Sequence, residues 1–349
     1  MCIKIDPNFD PTDAANGLRL AEALQRVQMD CLPDAQIQAL PATERNLVGS
    51  QRNLSRQLDA ALCHKRRSDH TLPGNLARHI ALTSIPGAGA WLTARADTED
   101  TTMDHPLFRT SVLRRFRVPL FSGDSACPMC GSPMDYFGDH AIVCQCGGDR
   151  TVRHNGIRDQ VYQEAKAGGQ RVEREKQGLL PARPSEDGLL ANSQARRPAD
   201  VWIHPRSSEK AWALNFACIS GLCVPNLVND DAEVSAIFCD YETYKKTYKD
   251  TEKQCEAQGI EFKPMVVEAH AGGMPPHLRK VIERIAEETA PLHFQEKEVV
   301  SLRIAQRISV SLQRETARAV LRRQRTDFDD VPTSGWDAVP EEDRGAHPM

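Results

Sequence analysis

Apolar positions three and four residues apart dominate the first third of the chain. Leu47, Leu54, Leu58, Ala61 and Leu62 make a one-sided stripe, the spacing of an amphipathic helix. A second helix opens with Pro106 in its first turn and is expected to bury Leu107, Phe108, Val112, Leu113 and Phe116. Arg114, Arg115 and Arg117 cluster at its end, where they meet the negative end of the helix dipole. Between the two, PGAGAWLTA (Pro86 to Ala94) breaks the helical pattern with glycines and casts Trp91 as an anchor beside a turn. Residues 1–120 therefore read as α-helical.

Past residue 150 the period changes. Ile157, Val161 and Ala165 mark a helix stopped by Gly168-Gly169. Weak alternation from Gln170 to Gln177, RPADVWIH from Arg197 to His204 and AWALNFACIS from Ala211 to Ser220 read as strands. A long helix follows, capped near Asn229, Asp230 and Asp231 and stopped by Gly259. It carries Val234, Ile237, Phe238, Tyr241, Tyr244 and Tyr248 on one side. A short strand from Met265 to Ala269 and a helix from Leu278 to Ala290 come next. A crossover helix between strands makes the expected sheet partly parallel and the fold α/β.

Residues 296–325 form one more expected helix, with Val300, Ile304, Ile308, Leu312 and Ala319 inward. Arg303, Arg307, Arg314, Arg318, Arg322 and Arg325 share one of its faces. With Arg196 and Arg197 they would suit a phosphate-tracking surface, and they equally suit an ordinary solvated helix. From Thr326 the chain is acidic, proline-containing and aperiodic, so 326–349 reads as a disordered tail.

A length of 349 residues allows two or more domains. A net charge of −4 excludes a uniformly basic nucleic-acid binder, although the tail largely cancels the last helix's arginines. Eleven cysteines, with no apolar stretch at Met1-Cys2-Ile3-Lys4, fit reduced thiols and metal binding better than a disulfide framework. The longest uncharged run, Ala211 to Val228, holds Asn215, Gly221, Pro225 and Asn226. It reads as a buried strand and a loop, with no membrane span expected and an intracellular location.

Four ligand-type residues are paired. Two residues lie between Cys127 and Cys130, His140 follows after nine intervening residues, and Cys144 after three more. Two close pairs of soft or borderline donors suit tetrahedral zinc, and four protein ligands leave no place for water, so the expected site is structural. Gly131 and Gly138 permit the tight turns. Cys146 and His154 offer alternative ligands.

A second constellation is weaker. Asp200 lies in RPADV, with fourteen residues between it and Asn215 on the next expected strand. In Mg²⁺-dependent nucleases on a four-stranded α/β core, two carboxylates from adjacent strands hold the metal and a lysine steadies water or phosphate. Asp200 fits the first carboxylate, whereas Asn215 puts a neutral amide in the second place. Lys245, Lys246 and Lys249 can supply the cation, and Glu268 can lend a carboxylate. From spacing alone, a turn-capping Asp200 and a wet lysine face are the simpler reading.

In order, GAGAWLTA, LRRFRVPL, CPMCG, GDHAIVC, RHNGIRD, RPADVW, AWALNFACISG, a YE-x-x-K helix and F-x-P-x-V-x-EAHAGG resemble the C-terminal region of non-LTR retrotransposon polyproteins. The resemblance covers roughly residues 75 to 325. It implies a helical linker (1–120), a Cys-Cys-His-Cys zinc knuckle (121–152) and a restriction-endonuclease-like, PD-(D/E)xK-type domain (153–292). A basic amphipathic helix (293–325) and the acidic tail complete the division.

Implied with it are nicking of chromosomal DNA to prime reverse transcription, a nuclear location, DNA or RNA partners, structural zinc and catalytic Mg²⁺. Cys127, Cys130, His140 and Cys144 match the knuckle, Asp200 the first catalytic acid, and Lys245 the family's displaced lysine. The family has Asp where Asn215 stands, which implies weakened or lost cleavage. No YADD-like polymerase motif occurs in the chain. A related relic without nuclease activity survives in the spliceosome's core scaffold protein. The alternative is therefore a non-catalytic RNA or protein scaffold, or a decayed polyprotein fragment.

Overall fold

The computed structural model of the protein describes residues 74–122, 125–181, 198–204, 210–223 and 234–324. The stripe from Leu47 to Leu62, Arg196, Arg197, Arg325 and the tail 326–349 lie outside these residues. The chain divides into two compact units, Met1–Ile80 and Ala81–Met349. Helix α1 (Gly74–Thr83) spans the division, and every later element belongs to the second unit. The segments 121–152, 153–292 and 293–325 all fall in that unit, and the last two share one core.

Four strands form a single mixed sheet in the order β1 (Val172–Arg174), β2 (Val201–Ile203), β3 (Ala211–Ile219), β4 (Ile260–Glu268). β1, β2 and β3 pair antiparallel, while β3 and β4 run parallel in register from Ala211↔Ile260 to Ile219↔Glu268. A parallel pair needs a crossover, and α5 (Val234–Thr247) with α6 (Thr251–Ala257) supplies it. β4 is buried on both faces, which is why its sequence lacks clean alternation. Met265 and Val267 point into one core while Ile260, Phe262 and Val266 point away from it.

The larger core lies on the first of these faces. Ile157, Val161 and Ala165 of α4 (Asp149–Ala167) meet Leu214 and Phe216 of β3 there. α7 (Pro276–Leu292) adds Leu278, Ile282 and Ile285. α8 (Lys297–Gln324) adds Val300, Ile304, Ile308 and Leu312, the side expected to face inward. The other face is covered by α5 through Phe238 and by α6 through Cys255. α8 also crosses α4 closely at Gly156, where an added Cβ would stand 2.7 Å from the Ser311 hydroxyl.

Two expected helices differ from their reading. The long helix ending at Gly259 is broken, because the chain turns through Tyr248–Asp250 with Lys249 (φ 52°) and Asp250 (φ 54°) left-handed. Neither residue is a glycine or proline, so nothing in the local pattern marked the break. α2 (His105–Arg115) leaves Phe108 and Phe116 exposed and buries Thr110, Ser111 and Arg114 instead. Its inner face meets polar partners: the Ser111 hydroxyl reaches the Gln313 carbonyl of α8 at 3.4 Å, and Arg114 contacts His270 at 2.9 Å. Trp91 is buried as expected, edge-on to Phe108 at 5.8 Å between ring centroids.

Candidate functional site

The four paired ligands converge. One ligand atom from each of Cys127, Cys130, His140 and Cys144 lies within 4.8 Å of the others. Sulfurs around a tetrahedral zinc stand about 3.8 Å apart, given Zn–S bonds of about 2.3 Å, so the cluster can hold such an ion with little closing up. Local structure explains the convergence. The Gly131 N–H donates to the Cys127 carbonyl at 2.8 Å and Gly131 takes φ 74°, turning the first pair into a knuckle. The helical turn α3 (His140–Val143) then sets Cys144 one turn after His140, and the Cys144 N–H donates to the His140 carbonyl at 2.8 Å. Asp135 fixes the approach, its carboxylate accepting from the N–H groups of Phe137, Asp139 and His140.

The thiols differ in readiness. Hydrogen bonds from the Ser132 side chain and backbone bring Cys130 down to about 6, whereas burial pushes Cys144 up. A bound zinc would hold both as thiolates and supply no open position, which is structural chemistry. Neither alternative ligand joins the set. The cluster comprises Cys127, Cys130, His140 and Cys144 without Cys146, and His154 Nε2 lies 3.3 Å from Asp200 instead.

Asp139, next to the ligand His140, ties the knuckle to the sheet. Arg117 donates to both of its carboxylate oxygens at 2.7 and 2.8 Å. Arg114 lies 3.8 Å from it, and the same guanidinium reaches His270 Nδ1 at 2.9 Å. Burial pushes Asp139 up, opposed by Arg114 and Arg117.

His270 belongs to the turn after β4, and that turn settles the placement of Glu268. The Glu268 carboxylate is fully buried and accepts from the N–H groups of Gly221, His270 and Ala271. Both oxygens are engaged in closing the turn. Glu268, expected to lend a carboxylate beside Asp200, is thus placed as a backbone clamp.

At the edge where β2 begins, Asp200 stands across from Asn215. The pair Val201↔Leu214 continued by one residue gives this register, and the Asp200 N–H donates to the Leu214 carbonyl at 2.9 Å. The Asp200 carboxylate accepts from the Phe216 N–H at 2.5 Å and lies 3.3 Å from His154 Nε2. His154 comes from α4 and meets Phe216 edge-on at 6.4 Å. Lys245 comes from α5, on the opposite face of the sheet, and feels the Asp200 charge.

Burial pushes His154 down, but the hydrogen bond and charge of Asp200 more than offset it, and the net shift is upward. Burial lowers Lys245, with Asp200 opposing. As arranged, the group offers a hard cation one carboxylate already shared by an N–H and an imidazole, plus a neutral amide. It fits Mg²⁺ poorly. Sequence reasoning placed His154 among the spare zinc ligands and missed it as the partner of Asp200. The RHN triplet was the available signal.

The described arginines of this face have partners within the protein. Arg303 reaches Gln295 at 2.8 Å and Glu164 at 3.5 Å, and Arg307 pairs with the same Glu164. Arg314 donates to the carbonyls of Glu99, Asp100 and Thr102, capping a short 3₁₀ turn. Arg318 pairs with Glu315, and Arg322 with Asp149 at 2.7 Å. α8 is a central brace, because other elements bring carboxylates and carbonyl ends against its polar side as well as apolar groups against its other side.

No helix among the described residues is long and apolar enough to cross a membrane. In comparisons with known proteins, no family model matches this chain and no curated protein matches it.

Proposed function

We propose that residues 153–292 are a nuclease-derived nucleic-acid-binding domain whose Mg²⁺-dependent DNA cleavage is weakened or lost. The observation that carries the reading is Asp200 across from Asn215, with Lys245 on the crossover helix near enough to feel the Asp200 charge. The order helix, three antiparallel strands, crossover helices and a parallel strand supports it, because the resemblance implies a restriction-endonuclease-like core of that kind. The Cys₃His cluster on the N-terminal side supports the accompanying zinc knuckle. An amide at position 215 leaves a single carboxylate, and His154 already occupies one of its oxygens. That contact favours the second reading within the same frame, a non-catalytic RNA or protein scaffold.

The test is supercoiled-DNA nicking with Mg²⁺ or Mn²⁺. Wild type should cut undetectably or very slowly, whereas Asn215→Asp should bind divalent metal more tightly and regain some nicking. Asp200→Ala or Lys245→Ala in that background should abolish it. Robust wild-type nicking that needs Asp200 would refute the loss of cleavage. A folded Asn215→Asp protein that gains neither metal affinity nor nicking would leave the scaffold reading in its place.

A further inference from the structure

α5 and the turn Tyr248–Asp250 that follows it carry a tyrosine stripe that neither site uses. Tyr241, Tyr244 and Tyr248 fall three and four residues apart, hence on one stripe. Their rings form a continuous ladder, with centroids 5.8 Å apart between Tyr241 and Tyr244 and 5.4 Å between Tyr244 and Tyr248. The rings are tilted by 48° and 44°, so they do not lie flat on one another. Tyr241 rests on the core beside Phe238, and exposure grows along the helix to 42% at Tyr248. Among the described residues, none of the three hydroxyls has a hydrogen-bond partner.

The lysines interleaved with this ladder divide in two. Lys246 pairs with Glu252 at 3.1 Å and Lys253 with Asp250 at 3.4 Å. Lys245 and Lys249 have no ion pair among the described residues and lie over the rings of Tyr241 and Tyr248, at 5.8 and 5.2 Å. The lysines without an ion pair are therefore the ones that lie over the tyrosine rings. Lys249 is also held in the left-handed turn that ends the ladder, a conformation unfavourable for a lysine. A stripe that served packing alone would bury its far end and neutralise its cations. This one becomes more exposed away from the core and leaves Lys245 and Lys249 outside any ion pair among the described residues, and at its inner end Lys245 feels the Asp200 charge.

We propose that the Tyr241–Tyr244–Tyr248 ladder is a stacking platform for single-stranded DNA, with Lys245 and Lys249 meeting its phosphates and leading the strand to Asp200. Unpaired bases offer π-faces to the rings whatever their sequence, whereas a duplex keeps those faces covered. The choice of DNA rests on the nuclease-derived reading of the Asp200 site. The platform itself needs only bases and phosphates.

The experiment is fluorescence anisotropy on the full chain with a fluorescein-labelled dT oligonucleotide of about 12 nucleotides. A duplex and an rU oligonucleotide of the same length serve as competitors. Wild type should bind dT more tightly than either. Tyr244→Ala/Tyr248→Ala should weaken it about tenfold or more, while Tyr244→Phe/Tyr248→Phe should keep most of the affinity because the rings remain. Lys245→Ala/Lys249→Ala should lower the slope of log affinity against log salt by about 1.4.

Affinity unchanged in the Tyr→Ala pair overturns the platform, as does equal loss in the Phe pair, or preference for the duplex. Preference for rU overturns the assignment to DNA. These outcomes are independent of the Asn215→Asp nicking test, so dT binding lost with the rings would stand even where that substitution restores nothing.

Discussion

Arg307→Ala separates the two accounts of the arginine-rich helix. Glu164 on α4 is 1% exposed, and its charge is held by Arg307 and, at 3.5 Å, by Arg303. At an effective dielectric of about 20, a charge pair at that separation attracts by about 5 kcal/mol before desolvation is subtracted. Removing Arg307 leaves a buried carboxylate with only the longer contact, and breaking a buried pair from one side costs about 3–5 kcal/mol. Glu164→Gln costs less, about 1–3 kcal/mol, since both arginines keep a solvent-exposed part when released.

The double variant should then cost less than the sum, with a coupling of about 1 kcal/mol or more. Lys253→Ala, which removes an exposed pair with Asp250, should stay within about 0.5 kcal/mol. Urea unfolding of wild type and the four variants reads all of these from midpoints at unchanged slope. If Arg307→Ala unfolds within about 0.5 kcal/mol of wild type and instead flattens the salt dependence of nucleic-acid binding, the brace account is wrong. The face would then track phosphates after all.

Zinc should copurify at one ion per chain, and Cys127→Ser or His140→Ala should release it and expose residues 125–155 to hydrogen exchange. Metal analysis finding no zinc in freshly reduced protein would overturn that site, and loss from Cys146→Ser with Cys144→Ser silent would reassign the fourth ligand. The His154–Asp200 pair should show in pH dependence. Because the folded imidazole titrates above its ordinary value of about 6.5, its stabilising effect is full below that pH and fades as pH rises through the folded value. The stability gap between wild type and Asp200→Asn should narrow over that range. An NMR titration placing the His154 imidazole below about 6.5 would contradict the pairing.

Residues close in sequence settled much of this protein before any folding was considered. The knuckle is one such case, since four ligands within Cys127–Cys144 need only two tight turns and one helical turn to converge. The inward stripe of α8 and the element order around β3 are others, because a period of 3.6 or 2 is a property of neighbouring residues. Asp200 facing Asn215 was also within reach, as one strand connection sets that register.

Partner choice across long separations was not legible. Arg307 meets Glu164, Arg314 meets the carbonyls of Glu99 and Thr102, and His154 meets Asp200, each pairing brought about by packing between distant elements. A row of arginines on one helix face looks the same whether it faces phosphates, water or buried carboxylates. Likewise, Glu268 carries the same charge as a metal ligand or as a clamp on three backbone N–H groups. Helical and strand periodicity specify which side of an element a residue occupies. Only the tertiary structure decides what stands opposite it, because burying a charge is tolerable only where a partner arrives from another part of the chain.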